Sequence, residues 1–174
     1  MFLDETGFLL QPLNRRTWAP RGETPVQYAW ARHDRLSAIG AVTLSPQRQR
    51  LNTYWQFYDG NIVATDVVAF LRHLHQHIGR RLIVVLDRFN VHRKAARLLK
   101  EQGSDWLTIE WLPAYAPDLN PVEAMWSCTK YSDLANYSPT NLDDLAEAAT
   151  DSLISQYGDH RTKRSYFQTA QLKL

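Results

Sequence analysis

Three acidic residues, Asp4, Asp87 and Glu123, sit in stretches of chain that read as three different secondary-structure elements. Hard cations such as Mg2+ take oxygen ligands, usually one or two carboxylates, with water and substrate phosphate completing an octahedron. Two such ions about 3.5–4 Å apart clamp the attacking and leaving oxygens of a phosphodiester. A site of that kind needs about three carboxylates delivered by separate elements. Asp4 from a first strand, Asp87 from the end of a central strand and Glu123 from a helix meet that need, although their spacing alone does not select the chemistry.

Each acid also has an ordinary explanation. Asp87 follows the apolar run Leu82–Leu86, where an acid caps the next turn through its side chain. Asn120-Pro121-Val122-Glu123 has the form of a capping box, with Asn120 as N-cap and Glu123 at the third helical position. Asp4 and Glu5 follow Phe2-Leu3 and read as solvated acids near a terminus. Beside Asp87, Arg93, Arg97 and Lys100 fall on one helix face, with Arg88, His92 and Lys94 close by. That stripe is either a solvated face or a set of phosphate contacts.

Other chemistries find less support. Of His73, His75 and His77 only the first and last share a helical face, and no Cys or acid completes a zinc site. Cys128 has no adjacent base to make it a nucleophile. There is no glycine-rich phosphate loop, no G-x-S-x-G and no H-E-x-x-H.

The elements that must position these residues follow from periodicity and turn signals. Leu36–Leu44 and Leu51–Tyr58 alternate and are joined by the polar segment Ser45–Arg50, as in neighbouring antiparallel strands. A helix with Thr65 as N-cap carries Val67, Leu71, Leu74 and Ile78 on one face and stops at Gly79. Leu82–Leu86 is apolar throughout, the pattern of a strand buried on both faces. A helix over His92–Gln102, a strand over Thr108–Leu112 and a helix opened by Pro121 come next. A last helix starts near Thr140 with Leu142, Leu145, Ala149 and Leu153 inward, and the basic segment after Gly158 reads as a loose tail. Strands first, then strand and helix in alternation, predict an α/β sandwich of mixed sheet with helices on its faces. Ligands should then gather at the carboxyl ends of the central strands.

With 174 residues, 44% hydrophobic and 22% charged, the chain suits one globular domain. Its longest strongly apolar run is far short of the roughly 20 residues that span a bilayer, so no membrane partner is expected. The acidic N-terminus is not a secretory signal, and a single cysteine suits a reducing cytoplasm. The net charge of +2 is no guide to partners.

Trp111-Leu112-Pro113-Ala114-Tyr115-Ala116-Pro117-Asp118-Leu119-Asn120-Pro121-Val122-Glu123-Ala124-Met125-Trp126, with Lys130 after it, resembles the third catalytic block of insertion-sequence transposases of the mariner superfamily, in its IS-six-thirty branch. Phe2-Leu3-Asp4-Glu5, followed by Arg16-Thr17-Trp18-Ala19-Pro20-Arg21-Gly22, resembles the first block and its hairpin, and Val84-Val85-Leu86-Asp87 with Asn90-Val91-His92 the second. Asp87 and Glu123 leave 35 residues between them, which suits the family's spacing (123 − 87 − 1). Arg88 departs from the asparagine often found after the second acid.

The resemblance implies a ribonuclease-H-like, retroviral-integrase-like fold, with a mixed five-stranded sheet flanked by helices. It implies a DDE triad of Asp4, Asp87 and Glu123, which would both catalyse and bind two Mg2+ ions, with Mn2+ as a substitute. The activity implied is metal-dependent cleavage and strand transfer on double-stranded DNA, at transposon ends and at a target TA step. Arg88, His92, Arg93, Arg97, Lys100 and Lys130 are the expected DNA contacts, and Asn120 the cap that orients the third acid. The expected organisation is a catalytic domain over 1–158 and a basic tail over 159–174, isolated from the helix-turn-helix modules that precede it in the family. A homodimer on DNA, a separate DNA-binding protein or upstream segment, and a cytoplasmic, nucleoid-associated location are implied. The alternatives are a catalytically silent DNA-binding or assembly remnant and a host-adapted nuclease of the same fold.

Overall fold

In the computed structural model, residues 1–26 and 34–174 are described. Five strands, β1 (Phe2–Leu9), β2 (Arg35–Leu44), β3 (Leu51–Asp59), β4 (Leu82–Leu86) and β5 (Leu107–Trp111), form one sheet in the order β3-β2-β1-β4-β5. The first three are antiparallel neighbours, whereas β4 runs parallel to β1 and to β5. The helices are α1 (Ala64–Ile78), α2 (Asn90–Glu101), α3 (Pro121–Cys128), α4 (Leu142–Gly158) and α5 (His160–Thr169).

The sheet is mixed, as the element order predicts. Its first strand is longer than the Phe2-Leu3 lead suggests: β1 is eight residues long, lies in the middle of the sheet and pairs with β2 along its whole length, from Phe2↔Val42 to Leu9↔Arg35. Toward β4 it pairs only at Phe2↔Val85, backed by Val85 N–H donating to Met1 O at 2.8 Å. Beyond that pair the two parallel strands share no ladder.

Two apolar layers hold the sheet. On one face Leu3, Ile39 and Ala41 pack with Leu82, Val84 and Leu86 against α1 and α2 through Val67, Phe70, Leu71, Ala95 and Leu99. On the other, Phe8, Leu36, Ala38 and Val42 pack against α3, α4 and α5 through Met125, Trp126, Leu145, Leu153, Tyr166 and Phe167. This second layer covers β1–β3 but stops short of β4. β4 is therefore not buried on both faces, contrary to the expectation from its sequence: Ile83 is 61% exposed, and the all-apolar run reflects a covered face plus an open one.

Two boundaries differ from the sequence expectation. The N-cap of α1 is Val63, not Thr65, because the Asp66 carboxylate turns back to accept from Val63 N–H at 2.8 Å. The segment after Gly158 is no loose tail. Asp159 caps α5 by accepting from Arg161 N–H, and Tyr166 and Phe167 enter the core. The spacing of those two aromatics within a run of Arg, Lys and His hid a helix with one apolar edge.

Candidate active site

Asp4 lies on the central strand. Alternation along β1 sends Leu3 and Glu5 toward α2, and Phe2, Asp4, Thr6 and Phe8 toward α3. Asp4 is held by two hydrogen bonds, from Glu5 N–H to Oδ1 (2.9 Å) and from Asn120 Nδ2 to Oδ2 (3.0 Å). Asn120 is buried and faces both ways, since its Oδ1 accepts from Val122 N–H at 3.2 Å and caps α3. The predicted capping box is only half formed. Asn120 N–H donates to Pro117 O, so the Glu123 carboxylate is not drawn into the cap. Glu123 is exposed, and among the described residues its carboxylate accepts no hydrogen bond.

Asp87 follows β4 at its carboxyl end. Its Oδ1 accepts from Phe89 N–H at 2.9 Å, as the turn-capping reading requires, and also from His92 Nδ1 at 2.5 Å. His92 comes one helical turn later and was expected to face DNA; the structure instead buries it completely. Its Nε2 contacts the Glu5 carboxylate, 2.9 Å from Oε1 and 2.8 Å from Oε2. Ionised carboxylates only accept, so a ring serving both donates from both nitrogens and is an imidazolium. Burial by itself lowers the His92 pKa, but the hydrogen bond and charge of Glu5, then the charge and hydrogen bond of Asp87, outweigh it and raise it to about 9.

The charges of the neighbouring acids reach Asp4. Burial first, then the charges of Glu123, Glu5 and Asp87, push the Asp4 carboxyl from 3.8 up to about 8, against the Glu5 N–H bond that favours the ionised form. Among the described residues no Lys, Arg or His forms an ion pair with Asp4 or Glu123. Nor does any group of three or more His, Cys, Asp or Glu there stand close enough together to hold a metal ion as the side chains are placed. In chemistry, an all-oxygen donor set of carboxylates fits a hard divalent cation that keeps water and substrate oxygens in its coordination sphere. Asp4, Asp87 and Glu123 are the residues that would hold it.

The basic residues divide into two groups. Arg88, Arg93, Arg97 and Lys100 are exposed, the first just after Asp87 and the others along α2. From Asn90 to Lys100 that helix carries charge roughly 15 Å away from the acids. Lys130 is half-buried in the single π turn Thr129–Asp133 that continues α3. Its ammonium donates to Thr6 Oγ1 and lies 5.4 Å from the centre of the Phe8 ring. Burial lowers its pKa, with Arg35 adding to the effect and Glu123 and Asp4 opposing it. The residue that sequence reasoning missed is Glu5. Its signal was the alternation that places it, unlike Asp4, on the α2 side of β1.

The DDE superfamily endonuclease family model matches residues 1–146, which contain all three acids. The chain belongs to this family. The fold of this DDE endonuclease is similar to that of the "Mos1 transposase paired-end complex with left transposon end", with a TM-score of 0.66 at 15% identity over 98% of this chain and 50% of that one. The Mos1 strand transfer complex gives 0.62 at 13% identity, again over 98% and 50%. A simian T-cell lymphotropic virus intasome in complex with PP2A regulatory subunit B56 gamma gives 0.52 at 14% identity, over 97% and 60%. The DDE endonuclease chain thus spans about half the length of the Mos1 chains it resembles. No curated protein matches it in sequence. Among the described residues no helix is long and apolar enough to cross a membrane.

Proposed function

We propose that this chain is the catalytic domain of a DNA transposase, carrying out divalent-metal-dependent strand cleavage and strand transfer with Asp4, Asp87 and Glu123 as its triad. The observation that supports the reading is the DDE endonuclease family match over residues 1–146, which contain the three acids, and in keeping with it the charges of Glu123, Glu5 and Asp87 add to burial in raising the Asp4 carboxyl to about 8. When bound, Mg2+ or Mn2+ would neutralise charge on the scissile phosphate and make water a better nucleophile there.

The chain's own residues supply position. Asn120 ties Asp4 to the start of α3, so the element that presents Glu123 is registered on the strand that presents Asp4. Phe89 N–H and His92 orient Asp87. In the first reaction water attacks a phosphodiester at the element's end and releases a 3′-hydroxyl. That hydroxyl then attacks a phosphodiester of target DNA, with a TA step as the proposed target, forming a new bond to the target's 5′ phosphate as the target strand's own 3′-oxygen leaves and is protonated. No covalent enzyme intermediate is needed, and catalysis is by positioning and charge neutralisation. Arg88, Arg93, Arg97 and Lys100 form the proposed phosphate-contacting face, with Lys130 beside the acids. A homodimer on DNA, a DNA-binding segment or partner outside this domain, and a nucleoid-associated location complete the proposal.

The test is strand cleavage and joining on double-stranded DNA with Mg2+, Mn2+ or EDTA. Asp87→Asn and Glu123→Gln should each lower activity by more than about a thousandfold while melting as cooperatively as wild type. Activity surviving both substitutions overturns the triad. Salt-sensitive DNA binding with no metal-dependent cleavage by the wild type would favour a silent assembly domain instead.

A further inference from the structure

We propose that Glu5 and His92 are positioning residues for Asp87: Glu5 holds the His92 ring from β1, and His92 Nδ1–H fixes one Asp87 oxygen and leaves the other for a cation. The inference rests on the metal-site reading above and deepens it.

The geometry carries it in three steps. First, His92 is fully buried between two acids that lie 87 and 5 residues away in sequence, and both ring nitrogens are used. Filling the space between α2 and the sheet would need only an apolar side chain. A buried ring with both nitrogens engaged by carboxylates is a polar group whose burial packing does not require.

Second, the chain Glu5–His92–Asp87 crosses the boundary between β1 and β4 where backbone pairing has already stopped, beyond Phe2↔Val85. The place of Asp87 relative to β1 is therefore set by side chains. Third, Glu5 is the chain neighbour of Asp4 and points to the opposite face. One strand thus presents the first acid on one side and anchors the second acid from the other. Groups that orient a metal-binding carboxylate typically change metal affinity or activity 10–100-fold when removed.

The experiment is titration of the full chain with Mn2+ alone, reading free Mn2+ by electron paramagnetic resonance, alongside melting in EDTA. Glu5→Ala and His92→Phe should each weaken Mn2+ binding by roughly 10–100-fold. Glu5→Gln should stay within about threefold of wild type, because an amide can accept from or donate to Nε2 and leaves Nδ1–H on Asp87 either way. Glu5 is partly exposed, so its variants remain informative even where His92→Phe fails to fold. Wild-type affinity in Glu5→Ala overturns the inference. So does Glu5→Gln falling as far as Glu5→Ala, which would make Glu5 a direct ligand or a simple charge. An absence of Mn2+ binding by wild type, or undiminished binding by Asp87→Asn, would overturn the metal-site reading itself and this inference with it.

Discussion

In the unfolded chain Asp4 is ionised from about pH 4 upward, yet in the folded one it keeps its proton to about pH 8. Between those values the folded state holds more protons than the unfolded state, so this residue's contribution to stability falls as pH rises across that window. At acid pH the penalty is absent; at pH 8 it is fully present. Asp4→Asn removes it and leaves one amide oxygen for the two donors, Glu5 N–H and Asn120 Nδ2. We expect the variant to be inactive yet more stable than wild type by about 1–2 kcal/mol at pH 8 in EDTA, after loss of one hydrogen bond. Near pH 4 the difference should vanish or reverse. Urea denaturation at the two pH values measures it, and a pH-independent difference would mean that the Asp4 carboxyl is not raised in the folded protein. Saturating Mn2+ should reverse the ranking at pH 8, since only wild type keeps the full set of ligands.

One glycine decides how closely α3 approaches the sheet. Gly40 on β2 stands opposite Asp4, and a Cβ built there would lie 2.4 Å from Trp126 Cζ2 and 2.7 Å from Met125 Cε. Both contacts belong to the helix that presents Glu123, so the missing side chain brings the third acid within reach of the first. Gly40→Ala should cost about 1–3 kcal/mol through overpacking. It should also weaken Mn2+ binding in protein that is still folded, because α3 must shift; calorimetry and Mn2+ titration on one sample separate the two effects. This close packing explains why the site was only partly legible in the sequence. The β2–β3 pair, the start of α3 at Pro121 and its Asn120 cap could be read locally, from alternation and from chemistry within a few residues. The three acids could be named from the motif blocks. Glu5 and His92 could not be paired that way, because their contact joins residues 87 apart and nothing in either neighbourhood announces it.

Over the whole molecule, the last helix is part of the core that supports the site. α5 brings Tyr166 and Phe167 to 2% and 1% exposure, and the Tyr166 hydroxyl donates to Gln156 within α4. A chain ending at Gly158 forfeits about 1.5–3 kcal/mol for each aromatic, a large share of the roughly 5–15 kcal/mol that holds a domain together. It should lose its cooperative melting transition and near-ultraviolet circular dichroism. Sequence reading missed this because only two of the ten α5 residues are buried aromatics, and the rest of its composition is that of a solvated segment. The strand order has a further consequence. With β1 and β4 paired at a single position, β3-β2-β1 and β4-β5 are two ladders joined by very few backbone bonds. Amide hydrogen exchange should reveal them as separate units of local opening, with β1–β2 amides exchanging slowest and those of β4 faster. Asp4 and Asp87 sit on opposite sides of that division, so a small fluctuation can part the two acids without unfolding either ladder, and whatever bridges them slows exchange across the join.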